Sequence, residues 1–319
     1  MRLPVLICFL YFLCIGSYSK AQDDVHEIVI TGKVSGPPLW QVKNGENTLW
    51  VFGLLSPLPK NLDWDSSQVE RVIENADAVL DGVSFESTDG IGVISGIGLY
   101  RQYRRFRKNM PGDTLEDVLP ENIYAQLLEI KELYGPRGRG VLKIRPLMAA
   151  QEINDSALKK VGLEESDDIS RRINRLIKRS DAITIESEYT TDTPYKDLLA
   201  EIDAMPIEEE IACLKSTLES ISTDINDMKE RAISWSYGYV GELYAMQFPN
   251  PQETCLSALT GGDAISEIFN GAQALWLENA EYALKNYSST FAVLPMYMIL
   301  DQNGLIESLA ARGYEINEP

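Results

Sequence analysis

The chain opens on an almost unbroken apolar run, Leu3 to Ile15, behind one basic residue, Arg2. Small residues follow at Gly16, Ser17 and Ser19, and Ser19-Lys20-Ala21 fits a small-x-small cleavage site before Gln22. A run of about 13 residues is short for a membrane span, which takes about 20. The pattern therefore predicts a cleaved signal peptide over 1–21 rather than a retained anchor. Cys8 and Cys14 do not suggest a lipoprotein, since bulky Phe12 and Leu13 precede Cys14. No later run approaches spanning length, so no membrane span is expected after cleavage.

Beyond residue 22 the apolar positions change period repeatedly. Residues 25–34 alternate loosely and predict a strand or an ordered arm. Leu39 to Val42 and Thr48 to Phe52 flank Asn44-Gly45, a hairpin signal because both residues tolerate positive φ. Asp65 or Ser66 caps a helix carrying Val69, Val72, Ile73 and Ala76, and Ala78-Val79-Leu80 reads as a buried strand. Strand, helix, strand in this order is a parallel crossover. Residues 84–113 predict a Gly-rich loop (Gly90, Gly92, Gly96, Gly98) and then a basic helix with Arg101, Arg104, Arg105 and Lys108 on one face. Thr114 to Asp117 resembles a capped helix start. Helices are expected at 120–134, 146–153 and 166–179, and a strand at 182–186. A helical region, 195–287, divides into 195–205, 207–222, 224–248 and 263–287. A strand at 289–294, a helix at 304–312 and a strand at 314–316 complete the pattern. It predicts one α/β domain over 22–319, with a central mixed sheet, helices on both faces, two strand-helix-strand halves, a helical insertion and an N-terminal β-hairpin.

Charge narrows the class of partner. The net charge is −19, and loss of residues 1–21 removes Arg2 and Lys20 but no acid, which makes it −21. Such a surface repels phosphate backbones and anionic lipid heads, so neither nucleic acid nor a membrane surface is an expected partner. The basic run 101–108 is the dense exception. It reads as a docking face for an anion or acidic partner, or as a solvated helix paired with the chain's own carboxylates. Two cysteines remain after cleavage, Cys213 and Cys255, and a lone pair in an exported chain reads as one disulfide. Buried free thiols or a catalytic thiol are the alternatives, although the single histidine, His26, lies far away in sequence.

Several segments taken in order resemble the TraB/GumN/Tiki family. Leu39-Trp40-Gln41-Val42, the Asn-Gly turn and Leu49-Trp50-Val51-Phe52-Gly53 are similar to its opening hairpin. Ala76-Asp77-Ala78-Val79-Leu80, Arg145-Pro146-Leu147-Met148-Ala149-Ala150, Glu210 and Cys213-Leu214 resemble its middle. Thr290-Phe291-Ala292-Val293, Asp301, Gly304-Leu305 and Ala311-Arg312-Gly313-Tyr314 resemble its C-terminal signature. The resemblance spans nearly the whole mature chain. It implies a metal-dependent hydrolase or peptidase site built on two G-x-x-H motifs, acidic residues and an Arg-Asn pair. Imidazoles and carboxylates would hold a divalent ion that lowers the pKa of a bound water.

This chain departs from that site. Gly53 is kept, but Ser56 stands at the first histidine and Met298 at the second, with Pro295 at the second glycine. The acidic position falls at Asp81 or Gly82. Asn279 remains, while Glu278 replaces the arginine and reverses its charge. The expectation is an exported, catalytically degenerate member, leaning away from an enzyme, with no metal or other cofactor. It would be periplasmic or secreted and bind an unknown protein or small-molecule ligand in the former cleft. The competing reading is a metal-dependent hydrolase with a rebuilt carboxylate site drawn from Asp81, Glu86, Glu278 and Asp301, whose oxygens suit hard cations. A Ser56-Lys60 nucleophile and thioether binding of copper by Met296 and Met298 are weaker variants, set against a loop serine and core methionines.

Overall fold

The computed structural model describes residues 36–89, 93–109, 112–164, 167–246 and 251–319. The expected signal peptide, the 25–34 segment and His26 lie outside the described residues. The described residues pack as one compact unit.

The hairpin forms where its turn signal stands, as β1 (Leu39–Asn44) and β2 (Asn47–Leu54). Asn44 pairs directly with Asn47, so the two turn residues are Gly45 and Glu46. Only Gly45 of these takes a positive φ, 62°. Glycine at the first central position is the primed-turn arrangement whose twist suits a hairpin. Both asparagines instead donate through Nδ2 to the Leu284 carbonyl, at 3.1 and 3.0 Å.

The chain continues through β3 (Leu58–Pro59), α1 (Ser67–Glu74), β4 (Ala78–Leu80), β5 (Ser84–Ser87) and α2 (Val93–Phe106). Next come α3 (Leu115–Val118), α4 (Glu121–Leu133), α5 (Pro146–Val161), β6 (Leu163–Glu164), α6 (Asp167–Ile177), β7 (Ile183–Ile185) and β8 (Glu188–Thr191). The helical region holds α7 (Tyr195–Asp203), α8 (Ile207–Asp224), α9 (Asp227–Ser236), α10 (Val240–Ala245), α11 (Pro251–Leu259) and α12 (Asp263–Asn286). The last elements are β9 (Ser289–Pro295), α13 (Met296–Leu300), α14 (Leu305–Ala311) and β10 (Glu315–Asn317).

A central mixed sheet of six strands has the order β10-β1-β2-β9-β4-β7. Among the described residues β1 is the strand that runs against the other five. The crossovers β2-α1-β4 and β9-α14-β10 supply the two strand-helix-strand halves. A buried apolar core joins the sheet to α1, α6, α9, α12 and α14. A second core unites α4, α5 and α8. Of the helical region 195–287, α8 joins this second core, whereas α9, α10 and α12 pack on the sheet core.

Three expectations change. The described parts of 84–100 are not one loop: Ser84–Ser87 pairs with β8, and Gly96 and Gly98 lie inside α2, while 90–92 lie outside the described residues. Each glycine costs a helix roughly 1 kcal/mol, and the helix is tied to α7 by Gln102 Nε2 donating to the Lys196 carbonyl at 2.9 Å. The single helix expected over 224–248 breaks into α9 and α10 at Gly238, where φ is 73°. Lys108 does not share the α2 face, because the helix ends at Phe106 and Lys108 bridges to Ile144 instead.

Candidate functional site

The strands β2, β9, β4 and β7 are successive parallel neighbours. Their carboxyl ends therefore meet at one edge of the sheet, and ligands of open α/β sheets bind outside that edge. There the chain presents Ser56 after β2, Asp81 after β4, Glu186 after β7 and Met296 after β9.

The exit of β2 is held rigidly. Phe52, Trp64 and Trp235 form a ring cluster with centroids 6.0–6.1 Å apart. The Trp235 indole donates to the Gly53 carbonyl at 2.7 Å. A Cβ on Gly53 would come within 2.5 Å of Met296 Sδ and 2.6 Å of a Trp40 ring carbon, so no side chain fits there. Ser56 emerges exposed, before a cis bond to Pro57. Met298 has a different fate. It lies in α13 rather than on a strand, and it joins Met296 and Ile299 in the core at 9% exposure. Ser56 and Met298 are thus an exposed loop residue and a packing residue.

Carboxylates gather on the other side of the edge. β4–β7 pairing brings Asp81 beside Glu186, and the Asp81 amide donates to the Ile185 carbonyl at 3.1 Å. Desolvation pushes the Asp81 carboxyl above its ordinary value, and the Glu186 charge adds to the rise. β5–β8 pairing sets Ser84 opposite Glu188 and Glu86 opposite Thr190, which makes Glu86 and Glu188 diagonal neighbours on one face. A hydrogen bond with Glu86 raises Glu188 most, followed by desolvation and the charges of Glu86, Glu186 and Asp81. From α12, Asn279 donates through Nδ2 to the Glu186 carbonyl at 3.0 Å. Glu278 beside it is exposed. Asp301 serves a turn, accepting from the Asn303 amide at 2.7 Å.

Of the residues singled out from sequence, Asp81, Glu86 and Asn279 meet at this edge. Glu186 and Glu188 join them unforeseen. Their only signal was a pair of acids directly after a short strand. Among the described residues, no group of three or more His, Cys, Asp or Glu side chains is placed to hold a metal ion. The donors at the edge are carboxylates that lean on one another, so they do not fit the histidine-bound ion that the resemblance implies.

The model of the TraB/PrgY/gumN family matches residues 38–318. This chain belongs to the TraB/PrgY/gumN family. No curated protein and no solved structure matches it. Several segments that resemble the family serve the second core of this TraB/PrgY/gumN chain rather than the sheet edge. Arg145 donates through Nε to both oxygens of the fully buried Glu210, at 2.9 and 3.2 Å, and also pairs with Asp203. Its guanidinium lies over the Phe106 ring, 4.6 Å from the centroid. Cys213 and Cys255 are joined by a disulfide that links α8 to α11. Arg101, Arg104 and Arg105 are exposed on α2, and none lies within ion-pair distance of a described carboxylate. No described helix is long and apolar enough to cross a membrane.

Proposed function

We propose that this family member is exported and binds, without hydrolysing, a partner or small ligand at the carboxyl edge of its sheet. The observation that carries the reading is the placement of Ser56 and Met298. The first stands on an exposed loop and the second is packed into the core, at the two positions where the resemblance expects histidines. What remains at the edge is Asp81, Glu86, Glu186 and Glu188, a set held in mutual repulsion. A positively charged group on the ligand would relieve that repulsion. Export is supported by the apolar N-terminal run and by the disulfide, which persists in oxidising compartments.

A second reading draws on the same carboxylates. A hard cation taken up by this set would make a rebuilt hydrolase site. Elemental analysis of the purified chain, with a peptidase assay on mixed peptides, separates the two. The binding reading expects no stoichiometric divalent metal and no turnover above the blank. Metal that co-purifies one to one, and that Asp81→Ala or Glu186→Ala removes together with activity, would overturn it.

A further inference from the structure

Away from the carboxylate edge a groove runs between the turn after β3 and the helix α6. One wall carries Leu58, Leu62 and Trp64, and the other Ile169, Arg171, Arg172 and Arg175. Its deep part holds about 240 Å³ and continues onto a shallower shelf of about 530 Å³ along Arg171, Asn174, Arg175 and Lys178. It shares no lining residue with the edge that bears Asp81 and Glu186.

Glu164 and Asp168 also line the groove, but its basic residues Arg171, Arg172, Arg175 and Lys178 outnumber them, against the balance of the rest of the molecule. Residues 171–179 hold Arg171, Arg172, Arg175, Lys178 and Arg179 in a chain of net charge −19. Part of this charge is already committed. Arg172 binds Glu70 at 2.8 Å and lies 5.2 Å from the Trp64 centroid, which fixes one end of the groove. Arg171 pairs with Asp168. Arg175 gives its Nε to the Arg171 carbonyl, and neither Arg175 nor Lys178 has a carboxylate within ion-pair distance among the described residues.

Spacing and size decide what fits. Arg171 and Arg175 lie one turn apart on α6, and Lys178 continues their row just past its end at Ile177, its amide still donating to the Asn174 carbonyl at 3.1 Å. Alternate side chains of an extended peptide recur every ~7 Å on one face, so two acids spaced by one residue match that row. The deep part lies below the ~300–1,000 Å³ usual for small-molecule pockets. With its apolar wall, it suits a single apolar side chain. We propose that this groove docks an extended acidic peptide segment of a partner protein. The acids would lie along Arg175 and Lys178, with one apolar side chain against Leu58, Leu62 and Trp64.

The test is fluorescence anisotropy on the full chain with a labelled peptide that alternates Glu and Ser around a central Leu. Binding is expected, weakening as salt rises. Arg175→Glu with Lys178→Glu should weaken it about tenfold or more, since two exposed pairs are lost and become repulsive. Both positions are exposed, and circular dichroism checks that the variant folds. Reversal of Arg101, Arg104 and Arg105 to Glu on α2 should leave affinity unchanged. Equal loss in the two variants would mean general attraction to cations and overturn the proposal. So would competition by inorganic phosphate, or equal binding of a peptide with Ala in place of Leu, since either outcome means a site for small anions. Self-association abolished by the α6 variant would make a second copy the occupant instead.

Discussion

Glu188 illustrates how single residues carry the character of the sheet edge. It shares a hydrogen bond with Glu86, and its folded-state pKa is raised above the ordinary glutamate value. A raised acid favours folding when protonated. Its contribution is complete below the ordinary value and is lost as pH climbs through the raised one. Glu188→Gln keeps the hydrogen bond and removes the charge. Its thermal midpoint should exceed that of the unchanged protein at pH 7, and the two should converge near pH 4 in a calorimetric series. A midpoint difference independent of pH would refute the raised titration of Glu188. Gly53 carries a separate lesson. Its lack of a side chain is explained by Trp40 and Met296 alone. The glycine shared with the family is therefore a packing requirement, which persists whatever chemistry the neighbouring Ser56 retains.

At the scale of elements, α5 and α8 are locked by charge as well as by apolar packing. Glu210 is fully buried, and its partner Arg145 enters from the residue before α5. Loss of one partner strands the other charge, at a cost of about 3–5 kcal/mol. Glu210→Ala should lower the urea midpoint accordingly, and an unchanged midpoint would show that the pair contributes nothing. Elements that bury one regular face were legible in the sequence. The hairpin announced itself through Asn44-Gly45, and α12 and β9 appeared close to their expected limits. β5 and β8 did not, because Ser84–Ser87 and Glu188–Thr191 are largely exposed and have no alternating apolar face to read. α11 escaped as well, lying between Pro251 and the Gly261-Gly262 pair. Asp81 and Asn279 were found as candidates. Glu186 and Glu188 were not, since only the β4–β7 and β5–β8 pairings, about 100 residues apart in the chain, separate them from ordinary solvated acids.

For the whole molecule, the disulfide closes a segment of 42 residues within the helical region. The loop-entropy estimate for such a closure is about 3–4 kcal/mol, by a model whose mechanism is debated. Cys213→Ser with Cys255→Ser should lose stability of that order in thermal or urea denaturation. The unfolded, unreduced wild type should show no free thiol from this pair, and titration of two thiols would contradict the bond. The middle of the central sheet has a consequence for how the chain is made. β2 pairs along its length with β9, Thr48 with Ser289 and Leu54 with Pro295. Closing so distant a pair is entropically late, and high contact order slows folding. On the ribosome, the second core has all of its helices before the sheet has its middle strand. The nascent chain therefore cannot complete its central sheet until Ser289–Pro295 has been made. Until β9 has emerged, β2 and β4 lack the strand that joins them, so the sheet stays open while the second core can already close.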